Sequence, residues 1–187
     1  MPDSLASCSE KMEAKMTTDF RSLIRDVEDF PKPGIVFKDI TPVLADPEAF
    51  SVVIDTMADL VRDLPIDCIC GMESRGFIFG PPLALKLGLP FVPVRKKGKL
   101  PRKTESVTYE LEYGTDILEI HSEDVVENAN HLIVDDLIAT GGTAVAAANL
   151  VERCGGRVSG MLFFIELSFL NGRGLLEGRD VFSVVSY

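Results

Sequence analysis

Residues 132–143, LIVDDLIATGGT, restrict the fold of this chain more than any other segment. An apolar run reads as a buried strand and ends in two acids, Asp135 and Asp136. Thr140-Gly141-Gly142-Thr143 then breaks the pattern. From Gly142 or Thr143 to Cys154 the chain reads as a helix, closed by Gly155-Gly156. A strand, a tight glycine turn and a helix place free backbone N–H groups and a helix dipole beyond the strand's carboxyl end, which favours an anion. Glycine lets the backbone approach such an anion closely. The hydroxyls of Thr140 and Thr143 add donors, and adjacent carboxylates accept from the vicinal hydroxyls of a sugar. The spacing is neither G-x-x-x-x-G-K nor G-x-G-x-x-G, so it is not a P-loop or a dinucleotide fingerprint. Taken alone, it also describes an ordinary strand-to-helix turn with a capping side chain.

The rest of the chain sets a context of alternating elements. Phe20, Leu23, Ile24 and Val27 fall at i, i+3, i+4 and i+7, predicting an amphipathic helix over residues 19–28. Residues 30–40, FPKPGIVFKDI, are punctuated by Pro and Gly and read as loop or short extended structure. Asp46-Pro47 reads as a helix cap with Pro in the first turn, opening a helix that buries Phe50, Val53, Ile54, Met57, Val61 and Leu64. A strand at 67–72 leads through a turn into a helix ending near 87, stopped by Gly88 and Pro90. A strand at 91–94 precedes a polar, mobile loop at 96–106. Residues 107–112 and 117–121 alternate about a turn at 113–116 and read as a hairpin. Further strands fall at 132–134, 158–167 and 181–185. Strands alternating with helices predict an α/β fold with a mainly parallel sheet covered on both faces. The 187 residues suit one domain, over 19–187, after a disordered tail at 1–18.

Composition removes several classes. Hydrophobic residues make up 46%, which excludes overall disorder, and no run of 18 apolar residues exists to cross a membrane. The opening MPDSLASCSEKMEAKMTT lacks the apolar core of a signal peptide, so a cytoplasmic location is expected. The formal net charge of −10 argues against nucleic acid and anionic membranes as partners. Against it stands RKKGKLPRK at 95–103, with six of the 19 Lys and Arg: either a solvated loop tip or a site for a small, highly charged anion. Cys68 and Cys70 share one face of a strand and, with no second ligand pair nearby in sequence, read as buried reduced thiols.

The 132–143 segment resembles the diphosphoribosyl-binding signature of the type I phosphoribosyltransferases. Four other segments resemble the members that act on adenine: DFPKPGIVFKDITPVL (29–44), GMESRGFIFGPPLA (71–84), VRKKGKLP (94–101) and YELEYG (109–114). The likeness covers about residues 20–187. It implies the type I phosphoribosyltransferase fold, with a mainly parallel sheet flanked by helices, a small hood, and a flexible lid near residues 95–113. The implied reaction joins adenine to 5-phosphoribosyl-1-diphosphate, giving AMP and diphosphate. Mg²⁺ would be held through substrate and water, with no direct protein ligand.

The resemblance also assigns residues. Ala139, Thr140, Gly141, Gly142 and Thr143 would hold the 5-phosphate, and Asp135 and Asp136 would face the ribose. Ser74, Arg75, Arg95, Lys96 and Lys99 would meet diphosphate, with the Ser74–Arg75 peptide cis. Val36, Phe37 and Lys38 would read adenine, Leu167 would pack on its ring, and Glu112 would work at N7 with Tyr113 nearby. Lys38 stands where the family often has Arg. A homodimer is implied. Two alternatives remain at this point. A 6-oxopurine enzyme would have a lysine near the last strand, which DVFSVVSY (180–187) lacks. A non-catalytic sensor of the same sugar diphosphate would bring a nucleic-acid-binding surface, which the charge disfavours.

Overall fold

The computed structural model describes residues 19–111 and 114–187, so Glu112, Tyr113 and the tail at 1–18 lie outside the described residues. The chain divides into two units, 1–56 and 57–187.

In the first unit, helix α1 (Phe20–Leu23) is a single turn capped by Asp19, whose carboxylate accepts from Arg21 N at 3.1 Å. The helix expected over 19–28 stops there. Ile24 turns extended, and β1 (Arg25–Val27) pairs antiparallel with β2 (Phe37–Asp39). Phe20 and Ile24 are still buried, so the apolar pattern marked burial, while strand pairing decided the backbone. Helix α2 (Thr41–Ala45) follows, with the Asp39 carboxylate accepting from both Thr41 N and Thr41 Oγ1 at 2.9 Å. Helix α3 (Pro47–Leu60) begins as expected: Asp46 Oδ1 accepts from Glu48 N and Ala49 N. It buries Val53, Ile54 and Met57, and the division between the units falls inside it.

The second unit holds a seven-stranded sheet in the order β5-β6-β4-β3-β7-β8-β9. Its strands are β3 (Cys68–Met72), β4 (Phe91–Lys96), β5 (Thr104–Leu111), β6 (Gly114–His121), β7 (Asn130–Ile138), β8 (Arg157–Glu166) and β9 (Val181–Ser186). The five from β4 to β9 through β3 are parallel, and the β5–β6 hairpin joins antiparallel at the β4 edge. Helix α4 (Gly76–Leu87) connects β3 to β4, and α5 (Gly142–Arg153) connects β7 to β8. One connection leaves β3 toward one edge and the other leaves β7 toward the opposite edge. The strand order therefore reverses between β3 and β7, where open α/β sheets form a crevice at the carboxyl ends. Every residue of β3 is buried, as a central parallel strand requires. Among the described residues, no helix is long and apolar enough to cross a membrane.

Three sequence expectations change. β7 runs on to Ile138 instead of ending before the acids, because β8 pairs with it through Asp135↔Phe163 and Ile138↔Glu166. Of the expected loop at 96–106, only 97–103 lies outside strands, since β5 starts at Thr104. The hairpin arms are longer than expected, running over 104–111 and 114–121, with Leu111 in register with Gly114.

Candidate active site

A cavity of about 330 Å³ opens at the carboxyl ends of β3 and β7. The β3–α4 turn contributes Glu73, Ser74 and Arg75; β7 contributes Asp135 and Asp136; the β7–α5 turn contributes Ala139, Thr140, Gly141 and Thr143. Gly142 is the first residue of α5, directly behind that turn.

Close backbone approach builds this arrangement. A Cβ on Gly76 would fall 2.7 Å from Val134 O and 3.0 Å from Asp135 Oδ1, so only glycine lets the start of α4 press on β7. That contact brings Arg75 to Asp136, Nε to Oδ2 at 2.8 Å. Gly141 has φ +87°, and a Cβ there would meet Gly172 O at 2.5 Å. The start of α5 has no side-chain cap and no acid in its first turn, leaving its amides and dipole to an incoming anion.

The glycine turn is buttressed by the 3₁₀ segments after β8, Ser168–Leu170 and Gly172–Leu176. Arg173 fixes them: Nε and Nη2 donate to the two Glu166 oxygens at 2.6 and 2.7 Å, and Nη1 donates to Val181 O at 2.6 Å. Arg173 holds the Glu166 carboxyl below its ordinary pKa. Leu167 is half-buried beside this network, its N–H donating to Ile138 O at 3.0 Å.

The electrostatics of the acids are unusual. Burial pushes the Asp135 carboxyl well up, and the Asp136 charge beside it adds to the effect. Burial also raises Asp136, with Arg75 opposing. The two aspartates thus sit at the cavity wall beside one guanidinium, placed to accept from hydroxyl donors.

The remaining basic residues stand outside the cavity lining. Arg95 clasps Glu73 through two contacts of 3.1 Å, Nε to Oε2 and Nη2 to Oε1, while Lys96 N donates to the same carboxylate at 2.9 Å. Lys96 Nζ pairs with Asp116 Oδ2 at 3.1 Å, and Lys99 is exposed. The non-proline cis peptide among the described residues is Glu73–Ser74, one bond before the Ser74–Arg75 position inferred from the resemblance.

In the first unit, Lys38 Nζ pairs with Asp26 at 2.6 Å, across the β1–β2 register that aligns the two residues. Phe37 is half-buried and packs edge-on to Phe30 at 5.2 Å between centroids, and Val36 is 45% exposed. Glu112 and Tyr113 lie outside the described residues.

Sequence reasoning missed three participants. Glu73 ends the same apolar strand that delivers Arg75, and its place before Ser74 was the available signal. Tyr109 lines the cavity, with its hydroxyl near Thr143 and Asp116; burial raises its pKa. Asp116 links Tyr109 to Lys96, a juxtaposition created by strand register with no signature in the sequence.

The phosphoribosyl transferase domain family matches residues 39–166. An adenine phosphoribosyltransferase of Solibacter usitatus is 56% identical over 169 residues, covering 90% of this chain and 98% of the relative. Among solved structures, the adenine phosphoribosyltransferase of Thermoanaerobacter pseudethanolicus superposes with a TM-score of 0.86 at 50% identity, covering 89% of this chain and 97% of that one. The Saccharomyces cerevisiae adenine phosphoribosyltransferase complexed with an imino-altritol bisphosphate and adenine gives 0.82 at 42% identity, covering 95% and 99%.

Proposed function

The chain belongs to the phosphoribosyltransferase family, on its adenine-specific branch, and from that premise we propose how its residues divide the reaction. The enzyme transfers the 5-phosphoribosyl group from 5-phosphoribosyl-1-diphosphate to adenine, giving AMP and diphosphate. The observation that carries the division is the cavity itself: one uncapped helix start, two buried acids and one arginine around a single space.

Ala139–Thr143 hold the 5-phosphate on the amides at the start of α5. Asp135 and Asp136 accept from the ribose hydroxyls. Ser74 and Arg75 face the diphosphate, with Arg95, Lys96 and Lys99 raising the local positive potential. Tyr109 braces Thr143. Val36–Lys38 offer backbone groups to the adenine edge and Leu167 packs on the ring. As the C1–diphosphate bond breaks and N9 bonds to C1, the base must lose a proton, and Glu112 at N7 assists that movement with Tyr113 adjacent.

The family works with a divalent metal, and Mg²⁺ is the ion we propose. The donors facing the cavity are hard carboxylate oxygens, and Asp136 already pairs with Arg75, which suits an ion carried mainly by substrate and water. When bound, the ion neutralises the departing diphosphate.

Residues 19–187 would act as one catalytic domain, with the segment 95–113 as its lid. A homodimer is supported by the resemblance and by the exposed apolar residues Leu85, Phe169 and Leu175. A cytoplasmic location is supported by the free thiols Cys68, Cys70 and Cys154.

The assay supplies Mg²⁺, phosphoribosyl diphosphate and each purine in turn. Turnover is expected with adenine alone among the purines. Glu112→Ala should lower kcat by roughly 10²-fold or more while leaving phosphoribosyl diphosphate affinity nearly unchanged. Wild-type turnover in that variant would refute the role given to Glu112.

A further inference from the structure

A second cluster of chemically active side chains lies at the amino ends of β3 and β7, opposite the substrate cavity. Cys68 opens β3, and His131 is its direct partner in the β3–β7 register. Cys70 is two residues on, on the same face of β3. The two sulfurs and a ring nitrogen of His131 all lie within 4.8 Å of one another, and all three residues are buried. We propose that Cys68, Cys70 and His131 form a structural site for a thiophilic divalent cation of the zinc class.

The state of His131 points to a ligand. The residue is 0% exposed. Its Nδ1 lies 2.9 Å from Ala129 O, and a carbonyl only accepts, so Nδ1 carries the hydrogen. Its Nε2 is buried with no hydrogen-bond partner among the described residues. Metal-bound histidines are usually oriented this way, one ring nitrogen donating to a carbonyl and the other turned to the ion. Leaving a buried polar atom unmet is costly, and a cation at Nε2 removes that cost.

Charge and geometry select the ion. Two thiolates and a neutral imidazole around a divalent ion sum to zero, the only total that such a buried setting accepts without a further partner. Sulfur and imidazole exclude Mg²⁺, which requires oxygen ligands. A tetrahedral zinc spaces its sulfur and nitrogen ligands roughly 3.5 Å apart, a contraction that side-chain torsions supply. A Cys68–Cys70 disulfide fits less well. Residues i and i+2 of a strand are about 6.6 Å apart at Cα, at the outer limit of disulfide geometry.

The ion would pin β3 to β7 without touching substrate. Cys68 and Met72 are separated by four strand steps, about 13 Å along β3. Binding should therefore raise Tm and leave kcat alone.

The test uses the metal-free full chain, titrated with Co²⁺ in excess Mg²⁺ so that oxygen sites are filled. One equivalent should give thiolate-to-cobalt charge-transfer absorption with the d–d bands of a tetrahedral ion, bleached by Zn²⁺. The absorption should be lost in Cys70→Ala and His131→Phe and kept in a Cys8→Ser/Cys154→Ser variant. Zn²⁺ should raise the wild-type Tm by several degrees with kcat unchanged. Absence of the thiolate band in active wild-type protein overturns the proposal, as does a band that survives Cys70→Ala or disappears with Cys8 and Cys154. Because the wild type carries the first readout, a variant that misfolds does not shield the idea.

Discussion

Asp135, proposed to face the ribose, sits where its charge costs the empty fold. Burial raises its pKa in the folded state, so near the usual carboxylate range the folded chain holds a proton that the unfolded chain has lost. Stability from this group is present at low pH and is lost as pH rises through the folded pKa. Asp135→Asn should therefore raise the Tm of the ligand-free protein by a few degrees at neutral pH, with the gain shrinking as pH falls through the raised folded pKa and gone below about 4. Calorimetry of both proteins across that range checks the sign, since a gain that grows in acid would contradict it. The same change replaces a charged acceptor with a neutral one and should lower kcat/KM for phosphoribosyl diphosphate by about 10- to 100-fold. Lys38 belongs to the same scale. Its ammonium pairs with Asp26 at 2.6 Å, which supports the proposal that the backbone of β2, not this side chain, meets the base.

Among the elements, the β7–α5 turn depends on a strand and a 3₁₀ segment that its own sequence does not mention. β8 extends β7 past the acids, and the 3₁₀ segment pinned by Arg173 backs the glycines. Gly141→Ala would force a side chain into a left-handed backbone conformation and against Gly172 O. It should cost about 1–3 kcal/mol of stability and raise KM for phosphoribosyl diphosphate more than KM for adenine. Denaturant unfolding and steady-state kinetics measure the two effects; a variant with unchanged stability and KM would mean that the loop is not held as described. The hairpin teaches the complementary lesson. Its alternation announced two strands, but the register set the length of the arms and joined Tyr109, Asp116 and Lys96 beside the cavity.

For the whole molecule, charge is the governing quantity. A chain of net charge −10 repels a polyanionic substrate, and the basic run at 95–103 opposes that field locally. KM for phosphoribosyl diphosphate should rise with ionic strength while KM for neutral adenine stays nearly flat, and Lys99→Ala should weaken the dependence. Kinetics across a salt series test this; equal sensitivity of both substrates would remove the steering role.

The sequence alone determined the alternating α/β architecture, the glycine turn between strand and helix in LIVDDLIATGGT and the family likeness. Those features rest on local patterns: apolar period, glycine turns and contiguous motifs. It misjudged residues 24–28 and the end of β7, because strand pairing is a non-local force that overrides local propensity. Only the tertiary structure decided that Glu73 clasps Arg95, that Gly76 seats Arg75 on Asp136, and that Cys68, Cys70 and His131 converge. The physical reason is the same for each: parallel strands adjacent in space are distant in sequence, so what faces what is fixed by register and close packing.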